Sequence, residues 1–237
     1  MRLAYDFHIH SCLSPCADDD MTPYNLVNMA SIAGLDIIAL TDHNSTRNCR
    51  AAIAAGQQAG LVVIPGMELC TAEEIHVVCL FGELDAAESF GDMVYTKLLS
   101  VKNKPEVFGN QLIMDEYDSV LETESVLLSN ASGISINNVP AICSEYGGIC
   151  YPANIDRPSY SILAVFGMIE RSMGFSCAEL TFRADLEALI ARNPDLAKMC
   201  RLCSSDAHAL EVLAAHNHDY IELDACAPKA VIEALGG

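Results

Sequence analysis

Five of the seven histidines fall in short fragments that also carry carboxylates. In Asp6-Phe7-His8-Ile9-His10, a strand with a repeat of two puts Asp6, His8 and His10 on one face. Leu3, Tyr5, Phe7 and Ile9 take the other face. Two imidazoles two residues apart on a strand can converge on one metal ion. Thr41-Asp42-His43-Asn44 follows, then Pro65-Gly66-Met67-Glu68, then Glu73-Glu74-Ile75-His76. Near the C-terminus, Asp206 and His208 repeat the two-residue spacing in Ser204-Ser205-Asp206-Ala207-His208. Any one fragment has an ordinary reading; Asp42 alone would cap a helix. Together they form a mixed His/Asp/Glu donor set, which suits Zn²⁺, Mn²⁺ or Fe²⁺ better than Ca²⁺ or Mg²⁺. There are more donors than one ion needs, so the expected cofactor is two or three divalent metal ions.

The elements that must position these groups are short apolar runs alternating with helical patterns. Strands are expected at Leu3–His10, Asp36–Thr41, Leu61–Met67, Ile75–Phe81, Gly148–Asn154, Ala178–Phe182, Leu202–Ser205 and Tyr220–Leu223. Thr22-Pro23 reads as a helix cap and first turn, ended by Gly34. Ser45 or Thr46 would cap a helix running to Ala59, and Pro158 and Pro228 would open others. Repeated strand–helix alternation argues for a parallel sheet with helices outside, and seven or eight units favour a closed or nearly closed barrel. In such barrels, residues at the C-terminal ends of strands share one cleft. The fold class is therefore α/β. One domain over residues 1–237 is expected, with an elaborated loop or insertion at about 100–136.

The chain of 237 residues has 13 Lys+Arg against 32 Asp+Glu, a net charge of −19. Its 51% hydrophobic content excludes a disordered chain. So acidic a surface should repel a phosphate backbone, so no long nucleic acid is expected as a partner. Eleven scattered cysteines, an odd number, read as reduced thiols of a cytoplasmic protein. No signal peptide opens the chain and no apolar run is long enough for a membrane span, so no membrane partner is expected. Cys200-Arg201-Leu202-Cys203 has CxxC spacing without a second pair, and Cys12 and Cys16 flank the first His fragment. His216 and His218 read as loop residues, and the nine methionines as core packing.

The ordered fragments resemble the PHP family, named for polymerase and histidinol phosphatase. The resemblance runs through essentially the whole chain: Asp-Phe-His-Ile-His-Ser at 6–11, Thr-Asp-His-Asn at 41–44, Gly-Met-Glu at 66–68 with His76, Pro-Ala-Asn-Ile-Asp-Arg at 152–157, and Ser-Asp-Ala-His at 205–208. It implies a distorted (β/α)₇-type barrel with a metal cluster at the C-terminal ends of the strands. It implies that His8, His10, Glu68 and Asp206 hold one metal, that Glu68 bridges to a second held by His76, and that His43 and His208 hold a third. Asp18 is the best match for a further ligand in the first loop, with Asp19, Asp20 and Cys16 as rivals. Asn154 stands where the family normally has a ligand His, and an amide is a poorer ligand for such metals. The second metal is then weak, the site slow, or the substitution a device that traps a ligand.

The function this implies is metal-dependent phosphoester hydrolysis of a small phosphorylated metabolite or nucleotide by a metal-activated water. Arg157 is the candidate phosphate donor, its alternative being a surface pair with Asp156. Asp6 and Asp42 would orient ligand histidines. The competing reading is a non-catalytic or regulatory metal-binding module weakened by Asn154. A proofreading nuclease beside a polymerase and a C–N hydrolase are further alternatives. Purified without chelators, the chain is expected to carry two or three transition-metal ions by ICP-MS; one ion or none would make Asn154 a defect.

Overall fold

A computed structural model of the chain describes residues 1–215 and 218–236. Its strands are β1 (Arg2–Ile9), β2 (Ile37–Leu40), β3 (Val62–Cys70), β4 (His76–Phe81), β5 (Leu112–Met114), β6 (Val120–Thr123), β7 (Gly148–Pro152), β8 (Cys177–Glu179), β9 (Cys200–Leu202) and β10 (Asp219–Glu222). The main sheet has the order β10-β1-β2-β3-β4-β7 and curls. The parallel pair β8–β9 continues the curl: β8 packs against β7, and the chain beyond β9 returns to β1 through a parallel bridge between Ala207 and Ile9. Seven strands thus surround one interior, the α/β distorted-barrel class expected from the sequence. Tyr5 and Phe7, Ile37 and Ala39, Ile64, Val78 and Leu80, Tyr151, Cys177 and Leu202 fill it, with a contribution from each strand.

The sheet is not uniformly parallel, as the alternation had suggested. β4 runs antiparallel to both β3 and β7, and β10 antiparallel to β1. The reason is local. Thr71 and Ile75 close a tight turn, Thr71 N–H donating to Ile75 O at 2.9 Å. So short a link leaves no room for the crossover that parallel strands need. The reversal places His76, at the start of β4, beside Cys70 at the end of β3.

β1 departs from strict alternation as well. Its pairing with β2 slips between Asp6 and Ile9. Leu3, Tyr5 and Phe7 face the barrel interior, but Ile9 packs with Ala4 and Ile38 in the layer beneath the helices. An irregularity of this kind re-aims the side chains beyond it, and the residues beyond it are His8 and His10.

Helices α1 (Pro23–Ile32), α2 (Cys49–Ala59) and α3 (Leu84–Tyr95) cover the sheet. Thr22 caps α1 by accepting from Asn25 N–H. α2 begins two or three residues later than Thr46 or Ser45 would set it, and the Asn48 side chain at its cap makes no capping bond. The Asn48 amide is used elsewhere, donating to Ser11 Oγ and Leu112 O and accepting from Met114 N–H. It thereby fastens the 100–136 segment, which holds β5 and β6, to the first loop. Asn44 does the same further on, donating to Leu128 O at 2.7 Å and Asn130 O at 2.8 Å.

Gly66 lies in β3, two residues before Glu68. A Cβ there would stand 2.8 Å from both Cys79 O and Leu80 Cδ2. Gly66→Ala is expected to destabilise the chain by about 1–3 kcal/mol through overpacking against β4, read as a lowered thermal midpoint.

Candidate metal centre

Glu68 is the hub of the site. Its carboxylate, on β3, is reached by four imidazoles from three other places. His8 Nε2 lies 3.2 Å from Oε1, His10 Nε2 3.4 Å from Oε2, His43 Nδ1 2.9 Å from Oε2 and His76 Nδ1 3.0 Å from Oε1. Glu68 N–H is held by Thr41 O and Asp42 O, so the segment just beyond β2 fixes where the residue sits. Asp206 approaches the first pair of imidazoles as well, with Oδ1 3.3 Å from His8 Nε2 and 3.2 Å from His10 Nε2. The two Nε2 atoms are 3.2 Å apart.

These spacings test the fit of a metal. Donors about 2.0 Å from a tetrahedral ion lie roughly 3.3 Å from one another. Five of the separations among His8, His10, Glu68 and Asp206 run from 3.2 to 3.4 Å, with His8 facing Glu68 Oε1 and His10 facing Oε2. Donor atoms of His8, His10 and Glu68, of His43, Glu68 and His76, and of His10, His43 and His208 each lie within 4.8 Å of one another. His43 Nδ1 is buried and faces only the Glu68 carboxylate, at 2.9 Å, a nitrogen–oxygen pair between which a cation can be shared. The residues fit divalent ions.

The surrounding groups select the tautomer that leaves Nε2 free. Glu179 Oε2 accepts from His8 Nδ1 at 2.8 Å, the carboxylate–histidine arrangement that orients metal ligands. Ser14 Oγ donates to Asp42 Oδ1 at 2.7 Å and accepts from His10 Nδ1 at 2.9 Å. Asp206 O accepts from His208 Nδ1 at 2.8 Å. Asp42 thus acts on His10 through Ser14, and also takes Ser11 N–H and Oγ. Asp6 touches no imidazole ring. Its Oδ1 accepts the backbone N–H groups of His8 and Ser205, fastening β1 to the segment beyond β9.

The titration pattern of the metal-free chain follows. Burial disfavours charge on His76, but Glu68 overrides it and raises the imidazole to about 10. Burial also opposes charge on His8, yet Glu179, Asp206 and Glu68 hold it well above the usual range. Burial pushes Glu68 up; His76, His8 and His43 outweigh it and hold the carboxyl well below its ordinary value. Burial and the neighbouring His10 push His208 down to about 3. Burial raises Asp6 to about 7 against the N–H groups it accepts. Ion binding must therefore displace protons, and affinity falls as pH falls.

The other sequence candidates are placed as follows. Asn154 Nδ2 donates to Asp206 Oδ2 at 3.0 Å. Arg157 Nη1 lies 2.7 Å from the same oxygen. Asp156 does not pair with Arg157; its carboxylate takes Thr181 N–H and Oγ1. Asp18 is exposed and outside the three donor groups, its N–H donating to His208 O at 2.9 Å. Asp19 and Asp20 are exposed too, and Cys16 is outside the donor groups. His218 Nε2 lies 2.8 Å from Ala33 O, and His216 falls outside the described residues. Two groups were missed: Ser14, and Glu179, which is fully buried. The signal for Glu179 was a carboxylate inside the apolar run Cys177-Ala178-Glu179-Leu180.

The PHP domain pattern matches residues 6–227. This chain belongs to the PHP domain family. Endonuclease Q shares the fold over all of the chain. The lesion-specific enzyme from Pyrococcus furiosus superposes with a TM-score of 0.72 over 56% of its own length. A complex with a 27-mer duplex carrying an abasic lesion at the active site gives 0.68 over 58%; identity is 16% in both. A protein described as a metal-dependent phosphoesterase from Bifidobacterium adolescentis gives 0.59 at 18% identity, over 86% of this chain and 87% of that one. A 5′–3′ exoribonuclease of Haemophilus influenzae is 35% identical over 83 residues, 34% of this chain and 29% of that protein. The chain spans under a third of that relative and little more than half of endonuclease Q.

These findings support a metal-dependent hydrolase. They also overturn the expectation that no long nucleic acid is a partner, since a protein of this fold is solved with a DNA duplex at its active site. Net charge sums over a whole surface, whereas phosphate at a metal centre meets the ions first. Among the described residues no helix is long and apolar enough to cross a membrane.

Glu179→Gln keeps the shape but weakens the hold on His8. It is expected to weaken metal affinity about 10–100-fold, measured by competition with a chromogenic chelator; unchanged affinity would remove Glu179 from the site.

Proposed function

We propose that this chain is a metal-dependent phosphoesterase that hydrolyses a phosphate ester of a phosphorylated metabolite or of a nucleotide, free or at a nucleic-acid terminus. The observation that carries the reading is the set of 3.2–3.4 Å separations among His8, His10, Glu68 and Asp206. Two or three ions of Zn, Mn or Fe, when bound, would neutralise phosphate oxygens and lower the pKa of water. His8, His10, Glu68 and Asp206 would hold one; Glu68 and His76 a second; His43 and His208 a third.

The chain's own groups do the rest. Arg157 is half exposed and borders a cavity of about 70 Å³ with Glu68, His76, Asn154, Ser159 and Tyr160. Its guanidinium can leave Asp206 for a substrate phosphate, a bidentate acceptor of matching shape. Asn154 keeps Asp206 in place once Arg157 turns away, because its amide holds Oδ2 while Oδ1 faces the imidazoles. Tyr160 packs on His76 with ring centroids 4.9 Å apart, and its carbonyl accepts His76 N–H at 2.9 Å. All eleven cysteines are free thiols, in keeping with a cytoplasmic setting.

Asn154 favours one second reading, a regulatory metal-binding module. A single experiment separates the two. Wild-type chain loaded with Zn, Mn or Fe is expected to hydrolyse p-nitrophenyl phosphate esters. His8→Ala and Asp206→Ala are expected to lose both metal and turnover, and Arg157→Ala to raise KM more than it lowers kcat. Hydrolysis that appears only in Asn154→His would establish the module instead.

A further inference from the structure

The CxxC motif finds its partner outside itself. Successive strand residues face opposite ways, so Cys200 and Cys203, three apart, project to opposite sides. Cys203 Sγ donates to Leu180 O at 3.1 Å. Cys200 instead stands directly opposite Cys177 in the parallel β8–β9 pairing, and the Cys177 thiol donates to Leu235 O at 3.3 Å. Neighbouring strands lie about 4.8 Å apart, inside the Cα window of about 4.4–6.8 Å for a disulfide. Cys200 is exposed and Cys177 buried. The adjacent Cys177 thiol brings the Cys200 thiol down to about 7, against burial, with Arg201 helping. Cys79 and Cys150 are also opposite one another, in β4 and β7. There Cys79 is buried and Cys150 half-buried, so no exposed thiol can begin the exchange.

We propose that Cys177 and Cys200 form a reversible disulfide across β8 and β9, with Cys200 the residue that meets a low-molecular-weight disulfide such as oxidised glutathione. The Cys200 thiolate attacks one glutathione sulfur, forming a mixed disulfide and releasing one glutathione thiolate. The Cys177 thiol gives up its proton and attacks the Cys200 sulfur, expelling the second glutathione. Two protein thiols are oxidised, one glutathione disulfide is reduced to two thiols, and the two protein protons pass to the glutathione thiolates. The bond staples β8, whose other end carries Glu179, to its neighbour.

The test is peptide mapping of the full chain after incubation with oxidised glutathione and alkylation of remaining thiols. The expected product is a Cys177–Cys200 linked peptide that dithiothreitol removes. Cys177→Ser, or Cys177→Ala if the serine variant fails to fold, is expected to accumulate glutathione on Cys200. Cys200→Ser is expected to form neither the link nor an adduct at Cys177. A Cys200–Cys203 link, a persistent Cys200 adduct in the wild-type chain, or no modification of either residue would overturn the proposal. None of these readings depends on bound metal or hydrolysis.

Discussion

One buried carboxylate organises this molecule. Glu68 is almost fully shielded from water and is approached by four imidazoles. An isolated carboxylate at that depth would be costly. It is tolerated because cationic partners, protons or ions, occupy the same space. The surrounding structure answers to that requirement. The slip in β1 turns His8 and His10 toward it, the tight turn after β3 returns His76 to it, and Asn44, Asn154 and Asp206 hold left-handed backbone at strand ends with φ of 48°, 43° and 51°. Such conformations cost energy and persist where the surroundings enforce them.

Much of this was legible in the sequence, for a physical reason. Metal donors need particular residue types, and a strand's two-residue repeat brings them to one face, so His8, His10, Asp206 and His208 could be found by spacing. The barrel class followed from strand–helix alternation. Strand direction did not, because the hydrophobic pattern of β4 is the same whichever way the strand runs; only the shortness of the link after Thr71 carried that information. Ile9 was misassigned for a similar reason, since a register slip leaves no mark on residue type.

The supporting groups were harder to see. Ser14 and Asn48 are common residues whose roles depend on partners far away in the chain, Asp42 and Leu112 among them. Asn154 was read from its type as a lost ligand. Residue type alone did not show that its amide donates to Asp206, a contact that depends on the backbone conformation at that position. Net charge misled most, because it averages over a surface on which one cleft decides what binds.

The donors come from very different distances along the chain. Glu68 and His76 belong to one hairpin and meet as soon as it forms, whereas His8 and His10 near the beginning meet Asp206 and His208 only when the last strands arrive. Bringing such remote segments together has an entropic cost that local pairs do not bear. An ion bound there would act as a clasp, joining the two ends of the barrel and shifting the closed form's population in proportion to its own affinity. The same centre that would carry out chemistry would also report that the barrel had closed.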